Sequence, residues 1–179
     1  MNRNVLILSA SPRKGGNSDL LCDEFAKGAL EAGNHTEKIF LNDRKINYCK
    51  GCCSCVNSKK GCVQKDDMAE ILHKMISADV IVMATPVYFY TMCAQMKTLI
   101  DRTFARYTEL SNKEFYFIVT AADTSKQAMR RTIECFRGFT SCLDGAKEKG
   151  IIYGTGAWDI GEIRKSEAMK LAYELGKNA

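Results

Sequence analysis

A doubly wound α/β sheet with helices on both faces is the fold this 179-residue sequence predicts. Three observations carry that expectation. Five short apolar runs, rich in β-branched or aromatic residues, alternate with longer helical patterns, and such alternation implies parallel strands joined by crossover helices. Two of the runs, "VLIL" from Val5 and "VIVMA" from Val80, are apolar without interruption, as strands covered on both faces are. The stretch between them carries Met68, Ile71, Leu72, Met75 and Ile76 at the i, i+3, i+4, i+7, i+8 spacing of an amphipathic helix.

Taken in order, the strands are expected at Asn4–Ser9, Thr36–Leu41, Asp79–Ala84, Glu114–Ala121 and Gly150–Gly154. Helices are expected near Ser18–Ala32, Asp67–Ala78, Thr91–Tyr107, Lys126–Asp144 and Ile163–Gly176. Internal repeats, low-complexity tracts and an interdomain linker are not evident, so residues 1–179 read as one domain with a full core. Hydrophobic residues at 46% and charged residues at 26% suit an ordinary soluble protein. The net charge of +5 is mild and its Lys and Arg lie among Asp and Glu, which argues against a nucleic-acid partner. The apolar run at Val5–Ala10 is too short for a secretory signal and is followed by a basic loop, and no stretch reaches a membrane span. The expectation is a cytoplasmic chain with reduced thiols, and a disulfide framework is disfavoured.

Open α/β sheets bind ligands beyond the carboxyl ends of their strands. After the first strand comes "SASPRKGGNS", Ser9–Ser18, leading straight into a helix. Asn17 or Ser18 suits the helix cap, and the free N–H groups of a helix start favour an anion. The serine hydroxyls, Arg13 and Lys14 add donors, while Gly15 and Gly16 allow close backbone approach. A phosphate monoester fits. Neither G-x-x-x-x-G-K-[ST] nor G-x-G-x-x-G occurs, so nucleotide hydrolysis and a Rossmann dinucleotide pocket are disfavoured, and no cysteine stands in the loop to attack phosphate.

After the third strand, "TPVYFY" places Pro86, Val87, Tyr88, Phe89 and Tyr90 together. Aromatics at a strand end are common core filler. One strand away from a phosphate loop, a planar ring carrying a phosphorylated side chain is the better account.

These stretches resemble the NAD(P)H-dependent FMN reductases of flavodoxin-like fold, a family that includes the iron–sulfur flavoproteins. The matching segments are Ser9–Ser18, the cysteine cluster described below, "DDM" at Asp66–Met68, "ADVIVMATPVYFY" at Ala78–Tyr90, "KTLIDR" at Lys97–Arg102 and "GTGAWDIGEI" from Gly154. The resemblance implies FMN bound noncovalently, with Ser9, Ser11, Arg13, Asn17 and Ser18 on its phosphate and Pro86 to Tyr90 along the isoalloxazine. Ala121, Ala122 and Asp123 would approach the ring from the fourth loop. It further implies five parallel strands in the order 2-1-3-4-5, a homodimer or homotetramer, NAD(P)H as donor, and a small acceptor such as a quinone, nitro compound, flavin or oxygen. A flavin needs no protein nucleophile, so no catalytic side chain is expected. His35 and His73 read as bystanders.

"CKGCCSCVNSKKGC" packs five of nine cysteines into residues 49–62. Cys49, Cys52, Cys55 and Cys62 form C-x2-C-x2-C-x6-C, a spacing that can wrap a [4Fe–4S] cluster and that agrees with the motif of iron–sulfur flavoproteins. Zinc is less apt, because its structural sites use two separated pairs of ligands. A loop of buried thiols covering the flavin, with no cluster, remains open as a reading. So do an electron carrier linking FMN, a cluster and protein partners, and a redox sensor built on Cys52 and Cys53. Cys22, Cys93, Cys135 and Cys142 read as packing residues within helices. Lys97 and Asp101 read as a surface ion pair. Arg130, Arg131 and Arg137 read as a solvated helix face rather than a contact for the extra phosphate of NADPH.

Overall fold

The computed structural model describes residues 2–58 and 61–179. Strand β1 (Asn4–Ser9) pairs in parallel with β2 (His35–Phe40) on one side and β3 (Val80–Tyr88) on the other. Strand β5 (Glu114–Thr120) continues beside β3, and β6 (Lys147–Gly154) closes the edge. The parallel order is therefore β2-β1-β3-β5-β6, the 2-1-3-4-5 arrangement expected from the resemblance.

A sixth strand departs from the expected five. β4 (Thr91–Met92) folds back antiparallel on β3, pairing Val87 with Met92 and Tyr88 with Thr91. The apolar run predicts a third strand ending at Ala84 with "TPVYFY" as a loop. The strand instead runs on to Tyr88, because β5 continues pairing it as far as Pro86↔Thr120. The ladder with β1 has by then ended at Ser9↔Ala84, which leaves room for a residue without an N–H.

Alternation along each strand sends residues to two cores. Leu6, Leu8, Ile81, Met83, Phe115 and Phe117 meet α3 (Met68–Ser77), α4 (Ala94–Arg102) and α5 (Arg130–Thr140), joined by Ile71, Met96, Leu99 and Phe136. Val5, Ile7, Val82, Tyr116 and Ile118 meet α1 (Asn17–Glu31) and α6 (Glu167–Lys177) through Leu21, Phe25 and Ala172. Helix pairs on both faces make the sheet doubly wound. The stripe expected on α3 is there: Met68, Ile71, Leu72 and Met75 are buried and Ile76 packs at the margin.

Glycine lets α1 and α6 approach backbone to backbone. A Cβ on Gly28 would lie 2.1 Å from the Tyr173 carbonyl oxygen, and one on Gly176 would lie 2.1 Å from that of Phe25. The expected helices at Thr91–Tyr107 and Lys126–Asp144 are both shorter. In the first, the hairpin strand takes residues 91–92 and 3-10 turns follow Arg102; in the second, a 3-10 turn takes Lys126–Met129. Cys135 and Cys142 are exposed, while Cys22 and Cys93 are buried. The first two therefore lie on solvent faces rather than in packing positions. No helix among the described residues is long and apolar enough to cross a membrane.

Candidate functional site

At the carboxyl ends of β1, β3 and β5 lies a cleft of about 190 Å³. Its polar end is the turn between β1 and α1. That helix starts at Gly16 without a side-chain cap, and its first internal bond runs from the Leu20 N–H to the Gly16 carbonyl at 2.9 Å. The N–H groups of Asn17, Ser18 and Asp19 precede that bond, the arrangement that receives anions. Gly16 keeps the floor open, since a Cβ there would stand 2.8 Å from the Arg13 carbonyl oxygen and 3.0 Å from Ser11 Oγ.

A buried carboxylate braces this turn from behind. Asp19 accepts from Ser9 Oγ at 2.9 Å, from the Gly15 N–H at 3.0 Å and from Lys38 Nζ at 3.0 Å. Lys38 also pairs with Asp23. Burial would push the Lys38 ammonium down, but its two carboxylate partners prevail and hold its pKa above the ordinary lysine value. Cys22, packed beneath, is pushed well above an ordinary thiol by burial. The positive φ of +69° at Gly15 lets the turn present its N–H to Asp19.

The third side of the polar end comes from far along the chain. Asn17 Nδ2 donates to the carbonyls of Ala157 (3.2 Å) and Asp159 (2.9 Å), while its Oδ1 accepts from the Gly161 N–H at 3.0 Å. Arg13 Nη1 donates to the Trp158 carbonyl at 3.3 Å. Glu162 then holds the Trp158 and Asp159 N–H groups at 2.7 and 2.9 Å, which fixes the 157–163 turn beside the cleft.

The opposite end is apolar: Pro86, Val87 and Tyr88 from β3, and Ala121 and Ala122 after β5. Among the residues singled out from sequence, the cleft gathers these five with Ser11, Arg13, Asn17 and Ser18. The others stand elsewhere. Ser9 is fully buried and turned to Asp19. Lys14 reaches Asp43 at 3.1 Å. Phe89 and Tyr90 form the tip of the β3–β4 hairpin at φ +48° and +65°, and Phe89 is 99% exposed. Tyr90 and Asp123 line a neighbouring cleft instead. Gly16, expected to allow close backbone approach, lines the first cleft as well, as do Thr120, Ala157, Trp158 and Ile160, which sequence reasoning did not assign to the site. The signal for the last three was the "GTGAWDIGEI" stretch from Gly154, which carries the lone tryptophan and matches the family resemblance but is remote in sequence from the other loops.

The cysteine segment lies apart and is closed at its stem. Lys45 N–H meets Asp67 Oδ2 at 2.7 Å, and the Asp67 N–H returns to the Lys45 carbonyl at 3.0 Å. Arg102, 3% exposed at the end of α4, reaches across to bind both carboxylate oxygens of Asp66 at 2.7 and 2.9 Å. It also donates to the Asn47 carbonyl at 2.6 Å and to Cys62 Sγ at 3.6 Å. Burial alone would raise the Asp66 pKa, but the Arg102 guanidinium and the N–H groups of Asn47 and Met68 outweigh it and hold the pKa at about 2.

Beyond that stem, where the described residues form only the short helix α2 (Ser54–Ser58), the thiols spread. Cys49, Cys52 and Cys53 are exposed and Cys55 and Cys62 half-buried. Among the described residues no three Cys, His, Asp or Glu side chains gather closely enough to hold a metal ion. As placed, Cys49, Cys52, Cys55 and Cys62 do not form the four-thiolate cage that a [4Fe–4S] cluster needs. Nor do the exposed thiols form a buried cover over the first cleft.

Residues 3–140 match the family described as NADPH-dependent FMN reductase. The chain belongs to that family. An iron-sulfur flavoprotein of Archaeoglobus fulgidus is 44% identical over 92 residues, which cover 51% of this chain and 41% of the relative. The chain spans about half the length of the curated relatives it matches. Among solved structures, an FMN-dependent NADH-azoreductase from Bacillus anthracis, in complex with FMN, superposes with a TM-score of 0.76 at 18% identity, covering 98% of each chain. An NAD(P)H:quinone oxidoreductase from Methanothermobacter marburgensis gives a TM-score of 0.74 at 18% identity, covering 99% of this chain and 97% of the other. At such identities the likeness of this family member to those two enzymes is one of fold.

Proposed function

We propose that the chain is an FMN-dependent oxidoreductase that takes hydride from NAD(P)H and reduces a small acceptor such as a quinone, a nitro compound, free flavin or oxygen. The observation that carries this is the polarity of the first cleft. A helix start with Arg13 stands at one end and an aliphatic and aromatic wall at the other, at the carboxyl edge of the sheet. Ser11, Arg13, the backbone N–H of Asn17 and Ser18 would hold the phosphate, and Pro86, Val87, Tyr88, Ala121 and Ala122 would flank the ring. Bound there, FMN supplies a ring that accepts hydride and passes the electrons on. The protein's own part is to bind, orient and screen from water. Asp19 fixes the turn that faces the phosphate, and Asn17 holds the 157–163 turn against it. Family membership supports this reading, as does the complex with FMN of the azoreductase that shares the fold. We also propose that residues 1–179 act as one cytoplasmic domain in a homodimer or homotetramer.

The alternative is an iron–sulfur flavoprotein that carries electrons between FMN, a cluster and protein partners. The names of the archaeal relatives favour it, and the dispersed thiols oppose it. Anaerobic purification followed by an absorption spectrum with iron and sulfide assays decides. The expected result is flavin bands, no stoichiometric iron, and bleaching by NADH or NADPH. Four irons per chain would establish the alternative, and a protein that retains no flavin when reconstituted with FMN would sink both.

A further inference from the structure

Helix α5 opens with Arg130 and Arg131, where the helix dipole disfavours cations. Among the described residues neither lies within 4.0 Å of a carboxylate, whereas Arg3, Arg44, Arg102, Arg106 and Arg137 each do. The contrast within α5 is instructive. Arg137 is claimed by Glu134 at 2.9 Å and Glu148 at 2.8 Å, so its charge is spent on the fold. Arg130 and Arg131 instead line a second cleft of about 890 Å³ with Tyr90, Asp123, Ser125 and Gln127. The two acids at this cleft are already engaged. Asp123 accepts the Ser125 N–H at 2.7 Å, and Glu134 is held by Arg137.

The second cleft shares its walls with the first. Tyr90 belongs to the hairpin whose Tyr88 lines the first cleft, and Asp123 to the loop whose Ala121 and Ala122 do. The Arg131 guanidinium lies 5.9 Å over the Tyr90 ring, and the Thr132 hydroxyl donates to the Tyr90 carbonyl at 3.4 Å. These contacts hold one arginine at the boundary between the two clefts. A ligand whose reactive ring meets the flavin and whose remainder carries phosphates would run from the apolar end of the first cleft into the second. We propose that the second cleft receives the phosphate groups of the nicotinamide dinucleotide donor, with Arg130 and Arg131 as their counter-ions. This rests on the FMN-reductase reading and adds to it the residues that recognise the donor.

The test uses the full-length, FMN-loaded chain and the double variant R130Q/R131Q, with the two single variants in reserve should the double one fold poorly. Dissociation constants for NADP+ and NAD+ are measured by calorimetry, and KM and kcat with NADPH and NADH. Losing charge-assisted phosphate contacts is expected to weaken binding on the order of 10–100-fold, with flavin content and kcat unchanged. A loss confined to NADP+ and NADPH assigns the arginines to the 2′-phosphate, and a loss shared by both nucleotides assigns them to the bridging diphosphate; either supports the proposal. Unchanged constants overturn it, as does an equal loss in K170Q, an exposed lysine of α6 on the opposite face of the sheet, which would reduce the effect to general surface charge. Should the wild-type chain bind FMN but neither nucleotide, the second-cleft proposal falls and the flavin assignment stands. Should it retain no FMN, the flavin assignment falls, and the NADP+ titration of the flavin-free chain still decides whether the arginines bind phosphate.

Discussion

Two loops of similar chemical promise are built very differently. The turn from Ser9 to Ser18 is braced along its length: Asp19 behind it, Asn17 and Arg13 tying it to the 157–163 turn, and a helix start completing its floor. The cysteine segment between Lys45 and Asp67 is fastened at its stem by Arg102 and Asp66, while Cys49, Cys52 and Cys53 stand in solvent. A site that must be ready for its ligand is fixed by contacts from several distant elements. Residues joined only by nearness in sequence are not thereby brought together.

The stem of the cysteine segment offers the largest test of that contrast. The Arg102 and Asp66 side chains are 2% and 0% exposed, so Arg102→Met strands a buried carboxylate and should cost about 3–5 kcal/mol. Thermal unfolding should show this as a drop on the order of 10 °C. Adding Asp66→Leu should restore much of the loss, and a double variant as unstable as the single one would show that the pair is not what holds the stem. The same pair sets an acid limit. The Asp66 carboxyl is depressed from 3.8 to about 2, so its contribution is present above about pH 4 and disappears as the pH falls towards 2. Acid unfolding of Asp66→Asn should lack that component.

On the other loop, Arg13→Ala should weaken FMN by roughly 10–100-fold while leaving riboflavin, which has no phosphate, nearly unaffected. Equal losses for the two ligands would move the phosphate elsewhere. A third change probes the hairpin that separates the two clefts. Phe89 sits at φ +48° with its ring in solvent, a conformation that costs an L-residue about 1–2 kcal/mol and that Asn tolerates better. Phe89→Asn should therefore raise the unfolding midpoint by a few degrees, and a fall would mean that the exposed ring stabilises the chain through a contact with another copy. The smallest effect is expected at Lys97. Its i, i+4 bond to Asp101 is 2.6 Å long but exposed, and Lys97→Ala should change stability by only a few tenths of a kcal/mol.

Much of the architecture was legible because it rests on local periodicity. The unbroken apolar runs of β1 and β3 and the stripe on α3 follow from alternation and helical spacing alone. Pro86 and the aromatics marked the right strand end, yet their division between cleft wall and hairpin tip was not legible. It depends on β5 pairing β3 two residues past Ala84 and on β4 folding back. Cys135 and Cys142 were misread because a helical pattern does not say which flank of α5 faces the sheet when the helix ends at Thr140.

By itself the sequence determined the order of the parallel strands and the helices along the chain and the set of hydrogen-bond donors in the first loop, since both reside in residues a few positions apart. Tertiary structure decided which of those side chains face the cleft. The Ser9 side chain is spent on Asp19, the Asn17 amide on a turn some 140 residues away, and Arg137 on Glu148, while among the described residues Arg130 and Arg131 meet no carboxylate. The physical reason is that a polar side chain takes its role from the partners that burial brings to it. In a doubly wound sheet those partners arrive from strands and loops far apart in the chain.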